Sequence, residues 1–180
     1  MTRMERRIVL VRAVNVGGTA KLPMAQWRSL AEGLGACDVS TYIASGNMVC
    51  TIDADPRSFD ESLEKAVEEG FGFFRHVISR SLAEVEAALA GHPFEVLDPK
   101  RSFISFLTGA PTAEGIAAAR SLDTGGDRWE VVGREMHLRF ADGAGHPQMK
   151  ERQIMRFLDV VGTARNLATV GKLIDLARRE

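Results

Sequence analysis

Along residues 1–80 the hydrophobic pattern changes period in a fixed order, and few folds accept it. "RRIVLVRAV" is β-branched and apolar, a strand from Arg7 to Val14. "NVGGTAK" breaks it, and Pro23 suits the first turn of a helix, where its missing N–H costs nothing. Met24, Trp27, Leu30, Ala31 and Leu34 recur at helical spacing until Gly35. "CDVSTYIA" and "NMVCTI" are two strands joined at Ser45-Gly46. Pro56 opens a second helix that carries Phe59, Leu63, Ala66 and Val67 and closes at Gly70, and "FFRHVIS" is a fourth strand. Strand, helix, strand, strand, helix, strand is the ferredoxin-like order, a split pair of βαβ units on an antiparallel sheet.

The remainder partly repeats it. Ser81 and Glu84 form a capping box for a helix over residues 81–91. "HPFEVLDPKR", with two prolines, is a connector. Then come a strand "SFISFLT", a helix "TAEGIAAARSL" and a hairpin of "DRWEVVG" and "EMHLRF" around Gly133-Arg134. Two helices follow, "QMKERQIMRFLDVVG" and "NLATVGKLIDLARR", and the last strand of the repeat is absent from the pattern, a terminal helix taking its place. The expectation is an α+β chain of two ferredoxin-like halves, antiparallel sheets covered by helices, with a helical C-terminus. Its divisions are residues 1–80, a helix and connector over 81–100, and residues 101–180.

Composition narrows the function classes. Net charge is -1, which argues against a protein that coats nucleic acid or an anionic membrane through a global positive field. No apolar run reaches the length of a membrane span. The stretch "MTRMERRIVLVRAV" has its apolar part interrupted by Arg12 and reads as a strand, not a signal peptide. Cys37 and Cys50 form no CxxC, so two reduced structural thiols in the cytoplasm are expected.

Polar donors gather in three places. In "VRAVNVGG", strand alternation puts Arg12 on one face with Ile8, Leu10 and Val14, and an arginine there needs a partner, internal acid or ligand. Asn15 follows, then Gly17 and Gly18, which turn tightly and let backbone N–H groups approach a ligand. In "YIASGNMV", Ser45, Gly46 and Asn47 are hairpin residues whose tip can also line a site. In "GTARNLATVGKL", Gly162 can end one helix and Thr163 or Asn166 can cap the next. Leu167, Val170, Leu173, Ile174 and Ala177 form that helix's buried stripe. Its N–H groups, Arg165, Thr169 and Lys172 then suit a cluster of negative oxygens. Capping and internal ion pairing account for part of the same cluster.

Other chemistry leaves no mark. His76, His92, His137 and His146 are scattered, with no HxH, HxxxH or Cys/His cluster, so no metal is expected. His76 and His137 fall within strands and read as packed or surface residues. No GxSxG elbow, phosphate-loop motif or convincing acid–base pair occurs, and no cofactor is implied. "DAD" before Pro56 reads as a helix-start acid cluster.

"VRAVNVGG" with "KLPM", "VSTYIASGN", "HPF" and "TARNLATVGKL" together resemble the bacterial domain-of-unknown-function 1697 family, in its order and over nearly the whole chain. The resemblance implies two ferredoxin-like α+β halves and no established activity. Its polar signature falls on Arg12, Asn15, Gly17, Gly18, Lys21, Ser45, Gly46, Asn47, Thr163, Arg165, Asn166, Thr169 and Lys172. This chain departs from it at Ala13, Thr19, Ala20, Ala44 and Leu167, which thins the positive charge of the first loop.

The functional expectation is a cytoplasmic protein that takes a phosphate- or carboxylate-bearing metabolite between its halves. Arg12 and Arg165 hold its oxygens, Gly17 and Gly18 admit the backbone, Asn15, Asn47 and Asn166 orient it, and Lys172 adds charge; Lys21, Ser45, Thr163 and Thr169 complete the set. Whether a reaction follows is left open. The alternatives are an RNA- or DNA-binding module, which net charge disfavours, and a structural or partner-binding protein in which these residues lock the fold.

Overall fold

A computed structural model describes residues 4–179. In chain order they form β1 (Glu5–Val11), α1 (Met24–Gly33), β2 (Cys37–Tyr42), β3 (Asn47–Ile52), α2 (Pro56–Phe71), β4 (Val77–Ser81) and α3 (Leu82–Ala90). Then follow β5 (Ser102–Leu107), α4 (Ala113–Ala119), β6 (Arg128–Val132), β7 (Glu135–Arg139), α5 (Glu151–Leu158), β8 (Gly162–Asn166) and α6 (Leu167–Ala177). The strands make two four-stranded antiparallel sheets, ordered β2-β3-β1-β4 and β6-β7-β5-β8, so each βαββαβ half closes its sheet in the same way. The chain divides into two compact units, one of residues up to Glu86 with those from Lys172 on, the other Ala87–Gly171.

In the first unit, Phe59, Leu63 and Val67 lie along one stripe of α2, and Trp27 and Ala31 on α1. They pack on Val9, Val11, Met48, Cys50 and Ile52 of the sheet. The boundaries follow local chemistry. Asp55 caps α2 by accepting from the Ser58 N–H at 2.9 Å, with Pro56 at the first helical position. The helix ends at Gly72, which takes the left-handed conformation at φ 75°, two residues beyond the expected Gly70. The Ser81–Glu84 capping box forms as expected: Glu84 N–H donates to Ser81 Oγ at 3.2 Å, and Ser81 N–H to Glu84 Oε2 at 2.7 Å. Cys37 and Cys50 are free, and burial pushes the Cys50 thiol up to about 12.

In the second unit, Ile154 and Leu158 of α5 and Ala119 of α4 cover Leu107, Trp129, Met136 and Leu138. Here two expectations are corrected. The strand thought missing is present: Gly162–Asn166 is β8, antiparallel to β5. Its buried face carries Thr163 and Arg165 where a strand reader looks for apolar residues. Gly162 is therefore not a helix C-cap. Asp159 takes that place at φ 52°, while a Cβ on Gly162 would lie 2.8 Å from Leu107 Cδ2 and 2.5 Å from Ser105 Oγ. The close approach of β8 to β5 is what requires glycine there. His76 likewise lies just before β4, not within it. No helix of the described residues is long and apolar enough to cross a membrane.

Candidate functional site

The first loop and the first hairpin do come together. β1 ends at Val11, whose N–H donates to Gly46 O at 3.0 Å. Gly46 sits at φ 83°, and any Cβ there would overlap Val11 Cγ1, so only glycine closes this turn. Asn15, left-handed at φ 55°, donates both amide hydrogens, to Leu22 O at 2.8 Å and to Ala44 O at 2.7 Å. Its Oδ1 accepts from the Leu22 N–H at 2.8 Å. Buried Asn47 donates to Tyr42 O at 3.0 Å and to Ser45 Oγ at 2.9 Å. Gly17 and Gly18, both at positive φ, make the tight turn inside the Val16–Thr19 bridge. The amide hydrogens of Asn15 are thus spent within the loop and on holding it to the hairpin, and those of Asn47 on closing the hairpin itself. Arg12 is exposed just past the end of β1, so it does not share the buried face of Ile8 and Leu10. Lys21 is also exposed.

The last helix keeps the expected Asn166 cap, but the residues before it form a strand. Arg165 lies on β8, only 8% exposed, and its Nη1 donates to Thr163 Oγ1 at 2.7 Å and to Ala164 O at 2.9 Å. Burial pulls its pKa down to about 10. Asn166, the last residue of β8, caps α6 by accepting the Thr169 N–H at 2.8 Å. Thr169 and Lys172 are half-buried on α6.

A cationic cluster that sequence reading missed sits at one end of the second sheet. Across β6, β7 and β5, Arg128 faces Arg139, and Arg139 faces Ser102. Beside them is a cavity of about 410 Å³, lined by Leu97, Asp98, Arg101, Ser102, Arg139, Phe140 and Ala141. Neither Arg128 nor Arg139 has a side-chain hydrogen bond or ion pair with a described residue. Glu130, the next same-face residue on β6, is committed to Arg120 Nη2 at 2.7 Å. Arg101 donates to Ala141 O at 3.1 Å, with Asp98 Oδ2 3.9 Å from its Nε.

The cavity wall is fixed by its neighbours. Buried Asp127 accepts three backbone N–H groups, from Ala141 at 2.9 Å, Gln148 at 2.6 Å and Met149 at 2.8 Å. The connector that supplies Leu97 and Asp98 begins at His92, whose Nδ1 lies 3.0 Å from Nδ1 of His137 on β7. The ring centroids are 5.1 Å apart, a nearly head-on approach that suits a shared N–H···N bond. Burial pulls the His137 pKa down to about 4 and lowers that of His92 too, so both rings are neutral at pH 7. No group of three or more metal-ligating side chains occurs among the described residues.

A family model described as a protein of unknown function, DUF1697, matches residues 4–137. The chain belongs to the DUF1697 family. The match takes in the loop, the hairpin and both histidines of the pair; the cavity's Arg139 lies just beyond it. A solved structure, that of conserved bacterial protein SP0830 from Streptococcus pneumoniae, is similar to this DUF1697 chain throughout. It shares 26% identity, covers 98% of this chain and 100% of that one, and superposes with a TM-score of 0.77. Another, of a protein assigned as a glycine cleavage system transcriptional repressor, shares 11% identity over 90% of this chain and 96% of that one; its TM-score of 0.24 carries no argument. No curated protein matches.

Proposed function

We propose that this DUF1697 protein binds a small anionic metabolite in the cytoplasm, through the arginine cluster at the end of its second sheet. The observation that carries the reading is the Arg128–Arg139 pair. Like charges directly opposite on neighbouring strands destabilise a sheet. Here they stand side by side with no carboxylate spent on either, next to a concave hollow. A phosphate or carboxylate between them would offset that repulsion and accept from planar forks shaped for such oxygens. Arg165 lies on the same face of this sheet, by the alternation that places it opposite Ile104, but it is buried and bonded to Thr163 and Ala164 and lies outside the cavity's lining. The donors of the first loop support the fold in this reading.

The test is calorimetric titration of the full chain with inorganic phosphate and with small mono- and dicarboxylates. A charged hydrogen bond contributes about 1.5–3 kcal/mol, so Arg139→Ala weakens the bound anion roughly tenfold or more. Arg128→Ala weakens it severalfold, and Arg12→Ala leaves it unchanged. If no anion releases or absorbs heat, or if Arg139→Ala binds as the parent does, the reading is wrong.

A further inference from the structure

Resting on that reading, we infer that the bound anion is amphipathic: an acid head held by the arginines, with a short apolar tail lying over Leu97. The cavity is not lined as a site for a bare oxyanion would be. Leu97 is 80% exposed, the highest value among the large apolar side chains of the described residues that face solvent, and it stands at the wall of a cavity that also holds two arginines. Its exposure is not the looseness of an unrestrained loop. The connector is tied on one side through the His92–His137 contact. On the other, Lys100 N–H donates to Asp98 Oδ1 at 2.9 Å and Leu167 N–H to Pro99 O at 3.1 Å. The lining also includes Phe140, whose ring is held edge-on to Phe103 at a centroid distance of 5.5 Å, and Ala141, fixed through both its N–H and its carbonyl. An apolar wall held in place next to Arg139, which has no carboxylate partner among the described residues, is complementary to a molecule with one charged end and one apolar end.

Size sets the class further. At about 30 Å³ per water-sized group, a cavity of about 410 Å³ takes roughly a dozen non-hydrogen atoms. That is the size of a medium-chain carboxylate or a small phosphomonoester with an apolar substituent. A concave hollow of this volume fits a free molecule and not the flat surface of a bilayer. Asp98 disfavours ligands with a second acidic group near its own carboxylate, so the tail end carries no charge.

The experiment is a homologous series. Acetate, butyrate, hexanoate, octanoate and decanoate are titrated calorimetrically into the full chain, into Leu97→Ser and into Arg139→Ala, each acid kept below its micelle concentration. Burial of a methylene is worth up to about fourfold in affinity. The parent is expected to gain two- to fourfold per methylene up to hexanoate or octanoate and then level off. Leu97→Ser flattens that slope and leaves acetate as before; Arg139→Ala lowers every member alike and keeps the slope. An affinity that does not change with chain length would overturn the amphipathic ligand while leaving anion binding in place. A series in which no member binds, when phosphate does not bind either, removes both proposals. Sedimentation with anionic phosphatidylglycerol vesicles without binding of free octanoate would also overturn it, in favour of a membrane surface. So would a dimer in light scattering that Leu97→Ser dissociates, because Leu97 would then be covered by a second copy.

Discussion

Asp127 shows how much one side chain can decide. It is fully buried, and its two oxygens accept three backbone N–H groups that would otherwise be orphaned in the turn from Phe140 to Met149. Asp127→Asn keeps the shape and turns one acceptor into a donor facing N–H groups. The expected loss is about 2–4 kcal/mol, read as a lower midpoint in urea unfolding. Asn15 makes the converse point about function. Asn15→Ala removes three hydrogen bonds and strains a left-handed position, so unfolding monitored by circular dichroism should show a loss of about 2–3 kcal/mol. Anion affinity measured on the same variant should stay at the parent value; a loss of affinity at full stability would return the ligand to the first loop. From the sequence, Asn15, Asn47 and Asn166 were visible as a wealth of donors. That their hydrogen-bonding groups are used within the fold depends on the carbonyls of Leu22, Ala44 and Tyr42, and on the Thr169 N–H. Composition and period do not encode those distances.

At the scale of elements, period and punctuation agree wherever the strand or helix has one apolar face. α2 is the clearest case: Asp55, Pro56, the Phe59–Leu63–Val67 stripe and a glycine stop all point the same way. β8 is the opposite case. Its inward residues are Thr163 and Arg165, so a stretch that is strand by backbone pairing reads as the approach to a helix. The junction to α6 has no intervening loop, and Asn166 serves both elements. Asn166→Ala should therefore cost about 1 kcal/mol, whereas Asn166→Asp should hold the parent's thermal midpoint, since the carboxylate still caps and meets the positive end of the helix dipole. Equal losses in both would mean that the side chain does something other than cap. The arginine cluster was legible in principle. A two-residue turn at Gly133-Arg134 fixes the hairpin register, and that register alone sets Arg128 across from Arg139.

For the molecule as a whole, buried titratable groups pull its stability in opposite directions with pH. Burial lowers the His137 pKa from 6.5 to about 4, so the unfolded chain takes up that proton first. This contribution is complete above pH 6.5 and is lost as pH falls toward 4. Burial raises Asp60 from 3.8 to about 6, against the Ser79 hydrogen bonds and Arg7 that favour its charged form. Here the folded chain holds the proton longer, so stability is complete below pH 4 and declines as pH rises through 6. Between pH 4 and 6 the two slopes partly cancel. Guanidinium unfolding midpoints across that range should climb more steeply with pH in Asp60→Asn than in the parent. In His137→Phe they should climb less or fall; parallel curves for all three proteins would refute the assignment. The order of elements other than β8, the Ser81–Glu84 capping box and the register of the Gly133-Arg134 hairpin follow from the sequence alone, because each is set by neighbours within a few residues and by the period of the side chains. The edge strand β8, the internal use of the asparagines and the cavity beside Arg139 were settled only in the folded chain. Each depends on groups far apart in sequence: the connector from His92 is laid against β5 and β7, and β8 is paired to β5. Only tertiary packing brings such groups within hydrogen-bonding or van der Waals range.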